Sequence, residues 1–385
     1  MTRMDSPHSD AALRADPIAA LRATAARPFT QATAMPATIY TSEAVVAAER
    51  DRVFARDWIC VGRAEALREP GDYLTYDLAG QPIIVLRDAD GEIRALSNVC
   101  RHRMSTLLTG SGNAKRITCP YHAWTYELDG RLRGAPYMTR NDCFQREDLR
   151  LPAIRCEVWL GFVLVTLDPE ATPVAETLRD LAAEIAPYDM ASYTELFRET
   201  HVWDTNWKVL AENFMESYHL PACHAGTIGR LSSIADAEMP AGAPAYNIHF
   251  ITKDPSFTLS VAHPTNITLT GDWRLRTAVF AIYPSLMITL TPGYFWYLSL
   301  QPISAGRVHI IFGGGLSPDF LADPEHEAHM AATKALLDAV NAEDKGCTER
   351  VYRGVSAPLA APGPLSHLER PLYDFSRYLA ARLGA

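Results

Sequence analysis

The sequence predicts an α+β protein: an N-terminal all-β module, then a larger domain in which helices cover an antiparallel sheet. Three observations carry this. Up to about residue 155, short alternating runs (YLTYDL, PIIVLRD, IRALSN, KRITCP, AWTYEL, RLRGAP) are separated by the glycine-bearing turns LAGQ, DADGE and LDGR. Beyond it, longer strand-like runs (FWYLSLQPIS, RVHIIFGGGL) are mixed with separate helical segments. With 48% apolar and 21% charged residues over 385 positions, the chain has an ordinary globular composition and a core that needs no disulfides.

The elements follow in order. Residues 1–39, rich in Ala, Pro, Thr and Arg, read as a loosely held arm that packs on the second, larger domain. Residues 40–155 form the β module, entered through a short helix in TSEAVVAAERDRVF, which Thr41 or Ser42 can cap. Residues 156–385 form the second domain. It opens with the strand VWLGFVLVTL and a helix from about Val174 to Ile185. ETHVWDTNWKVLAENFMESYHL then reads as a strand followed by a helix, and a Gly/Pro/Ala-rich loop covers roughly 225–245. NITLTGDWRLRTAVFAIYPSLMITLT reads as strand. A long helix from about Pro324 to Tyr352 precedes a Pro-rich tail.

Thirty-six basic against 45 acidic residues give a net charge of −9. That argues against nucleic-acid binding and against adhesion to anionic lipid. No apolar run is long enough to span a membrane, and the opening MTRMDSPHSDAALRADP lacks an apolar signal segment, so the expected compartment is the cytoplasm. In such a reducing place the seven cysteines are expected to be metal ligands or buried apolar residues rather than disulfides.

Two constellations carry chemistry. The first is Cys100-Arg-His102, followed after a sixteen-residue spacer by Cys119-Pro-Tyr-His122. Each loop offers one thiolate and one imidazole. A structural zinc can use two Cys and two His, but zinc fingers usually take both Cys from one loop and both His from a helix. Two Cys on one iron and two His on the other is the ligand set of a Rieske [2Fe–2S] centre.

The second lies in Asp204–His224. Glu212, Glu216 and His219 fall at i, i+4 and i+7, one face of a helix that Asp204 or Thr205 caps and Pro221 ends. His224 follows the proline and can return to the same point. Two His and one carboxylate make the facial triad of non-haem Fe(II) oxygenases. The late helix offers Asp338, Glu343, Asp344 and Glu349 as the carboxylate, and composition does not choose among them.

CRHRMSTLLTGSGNAKRITCPYHAWTYELDGRL, with Trp124, Tyr126, Asp129 and Gly130 in the family positions, resembles the Rieske domain of the Rieske non-haem iron oxygenases. The Glu-x-x-His-x-x-x-x-His element and VNAEDKGCTERVYRG resemble their catalytic domain. The resemblance implies that Cys100 and Cys119 hold one cluster iron and His102 and His122 the other. It implies a mononuclear Fe(II) on His219, His224 and Asp344, in a helix-grip domain with an antiparallel sheet. It gives Glu216 the role of bridging His122 of one subunit to His219 of the next. It further implies a homotrimer, electrons from NAD(P)H through a separate reductase, directly or via a ferredoxin, and O₂-dependent oxidation of a small organic substrate. Monooxygenation or oxidative dealkylation is the favoured outcome, with cis-dihydroxylation of an aromatic ring as the alternative. An electron carrier alone would have no use for the second constellation. Phe250, Trp273, Tyr283, Met287, Phe295, Trp296 and Tyr297 are the candidates for lining the pocket, where aromatic faces suit an arene or a quaternary ammonium.

Overall fold

The computed structural model describes residues 16–384. It divides into two compact units, Phe54–Thr177 and the rest of the chain. No described helix is long and apolar enough to cross a membrane.

The first unit is all but entirely β, as the alternating runs predict. Its strands are β1 (Ile59–Arg63), β2 (Asp72–Leu78), β3 (Gln81–Arg87), β4 (Ile93–Ser97), β5 (Ser111–Asn113), β6 (Ile117–Thr118), β7 (Thr125–Tyr126), β8 (Leu132–Gly134), β9 (Ala153–Trp159) and β10 (Phe162–Thr166). Among the described residues they form one sheet in the order β1-β10-β9-β4-β3-β2-β5 and a smaller one, β6-β7-β8. Leu78 pairs with Gln81 across a two-residue turn, and both Ala79 and Gly80 take positive φ there, the requirement of a tight hairpin.

The expected boundaries at 40 and 155 are not those of the compact units. VWLGFVLVTL forms most of the β9–β10 hairpin, and every residue of β10 is buried. A strand buried on both faces needs neighbours on both edges, and β10 finds them in β1 and β9. The segment from Tyr40 to Val53 belongs instead to the second unit.

That unit contains α1 (Pro17–Ala25), α2 (Glu43–Glu49), β11 (Thr194–Trp203), α3 (Trp207–Met215), α4 (Leu220–Cys223), β12 (Ser232–Glu238), β13 (Tyr246–Lys253), β14 (Arg276–Ile282), β15 (Leu286–Leu290), β16 (Tyr294–Ser304), β17 (Arg307–Leu316), α5 (His326–Val355) and α6 (Arg370–Leu383). Its sheet runs β11-β17-β16-β15-β14-β13-β12, antiparallel throughout. The glycine run in β17 allows close packing: a Cβ on Gly313 would strike the Tyr297 ring at 2.4 Å, and one on Gly315 the Thr194 carbonyl at 1.8 Å.

Several expectations need correction. Residues 1–15 of the expected arm lie outside the described residues. The rest is not loose: Asp16 caps α1 by accepting from Ile18 and Ala19, and α1 packs on α6. Helix α6 replaces the expected Pro-rich tail. It is announced by a capping box in which Glu369 accepts from the Ser366 backbone, and it buries Tyr373, Phe375, Tyr378, Leu379 and Leu383. The strand expected from Asn266 starts only at Arg276. Before it, Asn266 accepts from Leu269 while the Arg274 guanidinium gathers the carbonyls of His263, Asn266 and Leu269 into a turn. The sheet also gains β12 inside the loop expected at 225–245.

Helix α3 is capped by Asn206, not by Asp204 or Thr205. Its side chain accepts from Lys208 at 2.9 Å and donates to the carbonyls of Tyr40 and Ala305. Below it lies a buried ion pair, Lys208 Nζ to Glu49 Oε1 at 2.7 Å, both side chains fully enclosed, with Trp207 donating to Glu49 at 2.7 Å. Burial drives both groups toward their neutral forms. Lys208→Met strands the carboxylate, and the expected loss of stability is about 3–5 kcal/mol in a denaturant titration. Glu49→Gln combined with Lys208→Met should recover much of it. A single variant within 1 kcal/mol of the parent (roughly the scale of an exposed pair) would show the charges to be screened.

Candidate metal centres and active site

In the β unit the two Cys/His loops are built to one pattern. Each cysteine N–H donates to the carbonyl five residues on, Ser105 or Trp124, and each cysteine carbonyl accepts from the residue four on, Met104 or Ala123. Met104 and Ala123 both sit at positive φ, so both loops close through the same left-handed residue. The thiols of Cys100 and Cys119 are buried and form no disulfide, while the imidazoles lie toward the surface with ring centres 4.7 Å apart. His102 stacks on Trp124 at 4.8 Å, and Tyr126 Oη lies 3.2 Å from Cys100 Sγ. Burial opposes ionisation of Cys119, yet N–H groups of Tyr121 and His122 hold its thiol below the usual range. His102 Nδ1 is buried with no partner among the described residues. Inward thiols supplied with N–H donors and an orphaned outer imidazole fit a Cys₂His₂ cluster.

In the other unit, α3 stops at Met215 and Glu216 is extended, φ −123° and ψ 164°. The single helical face expected for Glu212, Glu216 and His219 therefore does not exist. Glu212 instead accepts from Tyr40 Oη at 2.8 Å, and desolvation pushes its carboxyl up to about 7. Pro221 does not end α3 but sits at the start of α4, which carries the chain from His219 to His224.

His219, His224 and Asp344 come together, and their ligand atoms lie within 4.8 Å of one another. The two Nε2 atoms are 3.1 Å apart, and Asp344 Oδ1 is 3.1 Å from that of His224 and 3.6 Å from that of His219. Donors about 2.1 Å from a metal and at right angles stand about 3 Å apart, so the spacing suits one ion bound on one face. Each imidazole is held from behind by a carboxylate. Glu216 Oε1 is 2.5 Å from His219 Nδ1, and Glu343 Oε2 is 2.7 Å from His224 Nδ1. With Nδ1–H given to a carboxylate, each Nε2 keeps its lone pair for the metal.

Geometry separates two of the four late acids. Glu343 and Asp344 reach opposite nitrogens of one imidazole: Asp344 faces the metal position, while Glu343 stands behind with Thr227 donating to it at 2.7 Å. Burial opposes ionisation of Glu343, but His224 and Thr227 hold it below the usual carboxylate range. Sequence reasoning treated Glu343 only as a rival ligand. It also missed Asn213, whose amide donates to Asp344 Oδ1 at 3.1 Å and lies 3.1 Å from His219 Nε2.

The cysteine expectation fails at one place. Cys223 and Cys347 form a disulfide, joining the residue before His224 to the turn of α5 after Asp344.

The triad opens into a pocket floored by the sheet. Val279 pairs with Thr289, Thr289 with Trp296, and Ile251 with Thr277, so these side chains share one face; Phe214, Leu337 and Val340 close it from the helices. Of the expected aromatic candidates only Trp296 lines it. Phe295 and Tyr297 alternate to the opposite face, Phe250 and Trp273 hold the Arg276 guanidinium at 4.2 and 5.2 Å, and Tyr283 stacks on Tyr378. Tyr294 and Phe214 complete the aromatic wall, the latter edge-on to Trp296 at 5.1 Å.

Residues 57–151 match the Rieske [2Fe-2S] domain family, and residues 190–385 match the catalytic domain of the ring-hydroxylating alpha subunit, which binds mononuclear iron. The carnitine monooxygenase oxygenase subunit of Acinetobacter pittii is 38% identical over 197 residues, 50% of this chain and 52% of that protein. The chain thus spans about half the length of that curated relative. Chloroplastic choline monooxygenase of Beta vulgaris is 28% identical over 353 residues, 89% of this chain and 76% of that one. A crystal structure of a quaternary ammonium Rieske monooxygenase in complex with L-carnitine superposes with a TM-score of 0.79 at 25% identity, covering 94% of this chain and 98% of that one. With its Rieske domain and with half its length matched by the catalytic domain, the chain belongs to the ring-hydroxylating α-subunit family, the Rieske non-haem iron oxygenases.

Proposed function

We propose that the chain is the terminal oxygenase of a multicomponent system that hydroxylates a C–H bond next to the nitrogen of a quaternary ammonium substrate. The carrying observation is a facial triad opening into a pocket with a three-ring aromatic wall. Such π faces attract a cation that has no N–H to donate. Cys100, Cys119, His102 and His122 hold the cluster, and His219, His224 and Asp344 the iron. Bound there, the two groups supply electrons and activate O₂.

The residues do the rest. Glu216 and Glu343 fix the imidazoles, Asn213 steadies Asp344, and Leu337, Val340 and Ile251 keep water from the reacting carbon. The balance is one substrate C–H, one O₂, two electrons and two protons, giving C–OH and water. A carbon bearing both OH and a quaternary nitrogen then releases a tertiary amine, an aldehyde and a proton.

Electrons come from NAD(P)H through a separate reductase, with or without a ferredoxin. The working form is a homotrimer in the cytoplasm, in which Glu216 links His219 to a neighbour's cluster.

The test is turnover of reduced, iron-loaded protein with carnitine, glycine betaine, choline, an aryl ether and an arene. Amine and aldehyde in equal amounts from a quaternary ammonium compound are the expected products. A vicinal diol from the arene, with no amine released, would replace this reading by ring dihydroxylation.

A further inference from the structure

The same pocket holds a cation that the reading above does not use. Lys253, the last residue of β13, is 5% exposed and lines the cavity that contains His219, His224 and Asp344. Its Nζ donates to Ser232 Oγ at 2.6 Å, and no carboxylate among the described residues pairs with it. The other lysine buried to this degree, Lys208, has Glu49 at 2.7 Å. Besides that hydroxyl the Lys253 ammonium has only the face of Phe257 at 5.9 Å among the described residues, and a buried ammonium without an anion is costly unless something else brings one.

A second group points the same way. Thr277 is fully buried, lines the pocket, and its Oγ1 has no partner among the described residues. Because Ile251 pairs with Thr277, and residues 251 and 253 share a face of β13, Thr277 and Lys253 are diagonal neighbours on the pocket floor. An ammonium and a hydroxyl side by side, both enclosed and both with donors to spare, are a seat for a carboxylate.

The pocket is therefore polar in a definite sense. Glu216 and Asp344 line it beside the two imidazoles, and the Lys253 ammonium lines it from β13. We infer that Lys253, with Thr277, anchors the carboxylate of a zwitterionic substrate, so that the quaternary nitrogen at its other end is held beside the metal. This rests on the quaternary ammonium reading and narrows it: carboxylate-bearing betaines such as carnitine are substrates, and an amino alcohol such as choline is not.

Calorimetric binding to the resting, metal-loaded full chain tests this without turnover. The probes are carnitine, glycine betaine and choline. The parent should bind the two zwitterions at least tenfold more tightly than choline. Lys253→Met, which keeps the length of the side chain, should abolish that preference by weakening the zwitterions and leaving choline unchanged. Thr277→Val, near in volume, should weaken them on the order of tenfold, the scale of a hydrogen bond to a charged group. It stands as the test if the lysine variant does not fold. Choline binding as tightly as the zwitterions, or losing as much as they do in both variants, would overturn the anchor while leaving the quaternary ammonium reading intact. Absence of binding by all three would overturn both.

Discussion

Replacing Asp344 with alanine will leave the protein brown and remove one iron from each chain. The proposed cluster ligands Cys100, His102, Cys119 and His122 all lie in Phe54–Thr177 and Asp344 lies in the other unit, so cluster absorbance should match the parent. The mononuclear site loses the one carboxylate that, among the described residues, lies near both imidazole Nε2 atoms. Metal content should fall from about three irons per chain to two, and turnover should fall below detection. Glu343→Ala makes the control. Its carboxylate touches His224 only at Nδ1, so that variant should bind iron about 10–100-fold more weakly and recover when iron is supplied in excess. Iron assay with visible spectroscopy reads both. A colourless Asp344→Ala protein, or one that keeps three irons, would overturn the ligand assignment.

Glu216→Gln should give the opposite signature: full metal and little turnover. One carboxylate oxygen of Glu216 meets His219 Nδ1, and the other takes the backbone N–H groups of Tyr218 and His219. Glutamine has the same shape and one carbonyl oxygen, enough to receive His219 and keep the ligand in place. It brings an N–H₂ where the second oxygen met two donors, and it removes the charge that makes His219 a strong ligand. Cluster and iron content should be unchanged, while reoxidation of the reduced cluster in the presence of substrate and O₂ should slow on the order of a hundredfold. Stopped-flow absorbance follows it directly. A variant as fast as the parent would remove Glu216 from the electron path, and one that loses iron would make it a mere prop for His219.

What could be read in the sequence and what could not divides along physical lines. Short-range chemistry was legible. The Cys-x-His and Cys-x-x-His loops, the turns of the β module and the His219–His224 pair are each set within a few residues, where backbone rules act directly. Strand runs such as FWYLSLQPIS also fell in place, because alternation is a local property. What failed depended on distant partners. The helical face of Glu212, Glu216 and His219 assumed that α3 continues, but Glu216 leaves the helix to serve the N–H groups that follow. Glu343 and Asp344 are adjacent in sequence, and only the position of His224 gives them different work. The compact β unit runs on past 155 because β10 completes its sheet, and an apolar strand does not say which sheet it completes. Among the aromatic candidates, pleat direction and the Arg276 stack decided the outcome, and both are set by neighbouring strands.

The Cys223–Cys347 bond has a consequence for the energetics of the metal centre. It closes a loop of 124 residues, and a metal held by His224 and Asp344 would close almost the same one. A chain tie of that span lowers the entropy of the unfolded state by an amount of order 4–5 kcal/mol at room temperature. Whichever of the two forms first takes that gain, and the second closes a loop of only a few residues. Their stabilisations are therefore not additive. With the disulfide in place the ligands are already gathered before metal arrives, so removing the ion costs chemistry more than architecture. With the thiols reduced, the ion is itself the tie, and the integrity of the catalytic unit becomes a matter of iron supply.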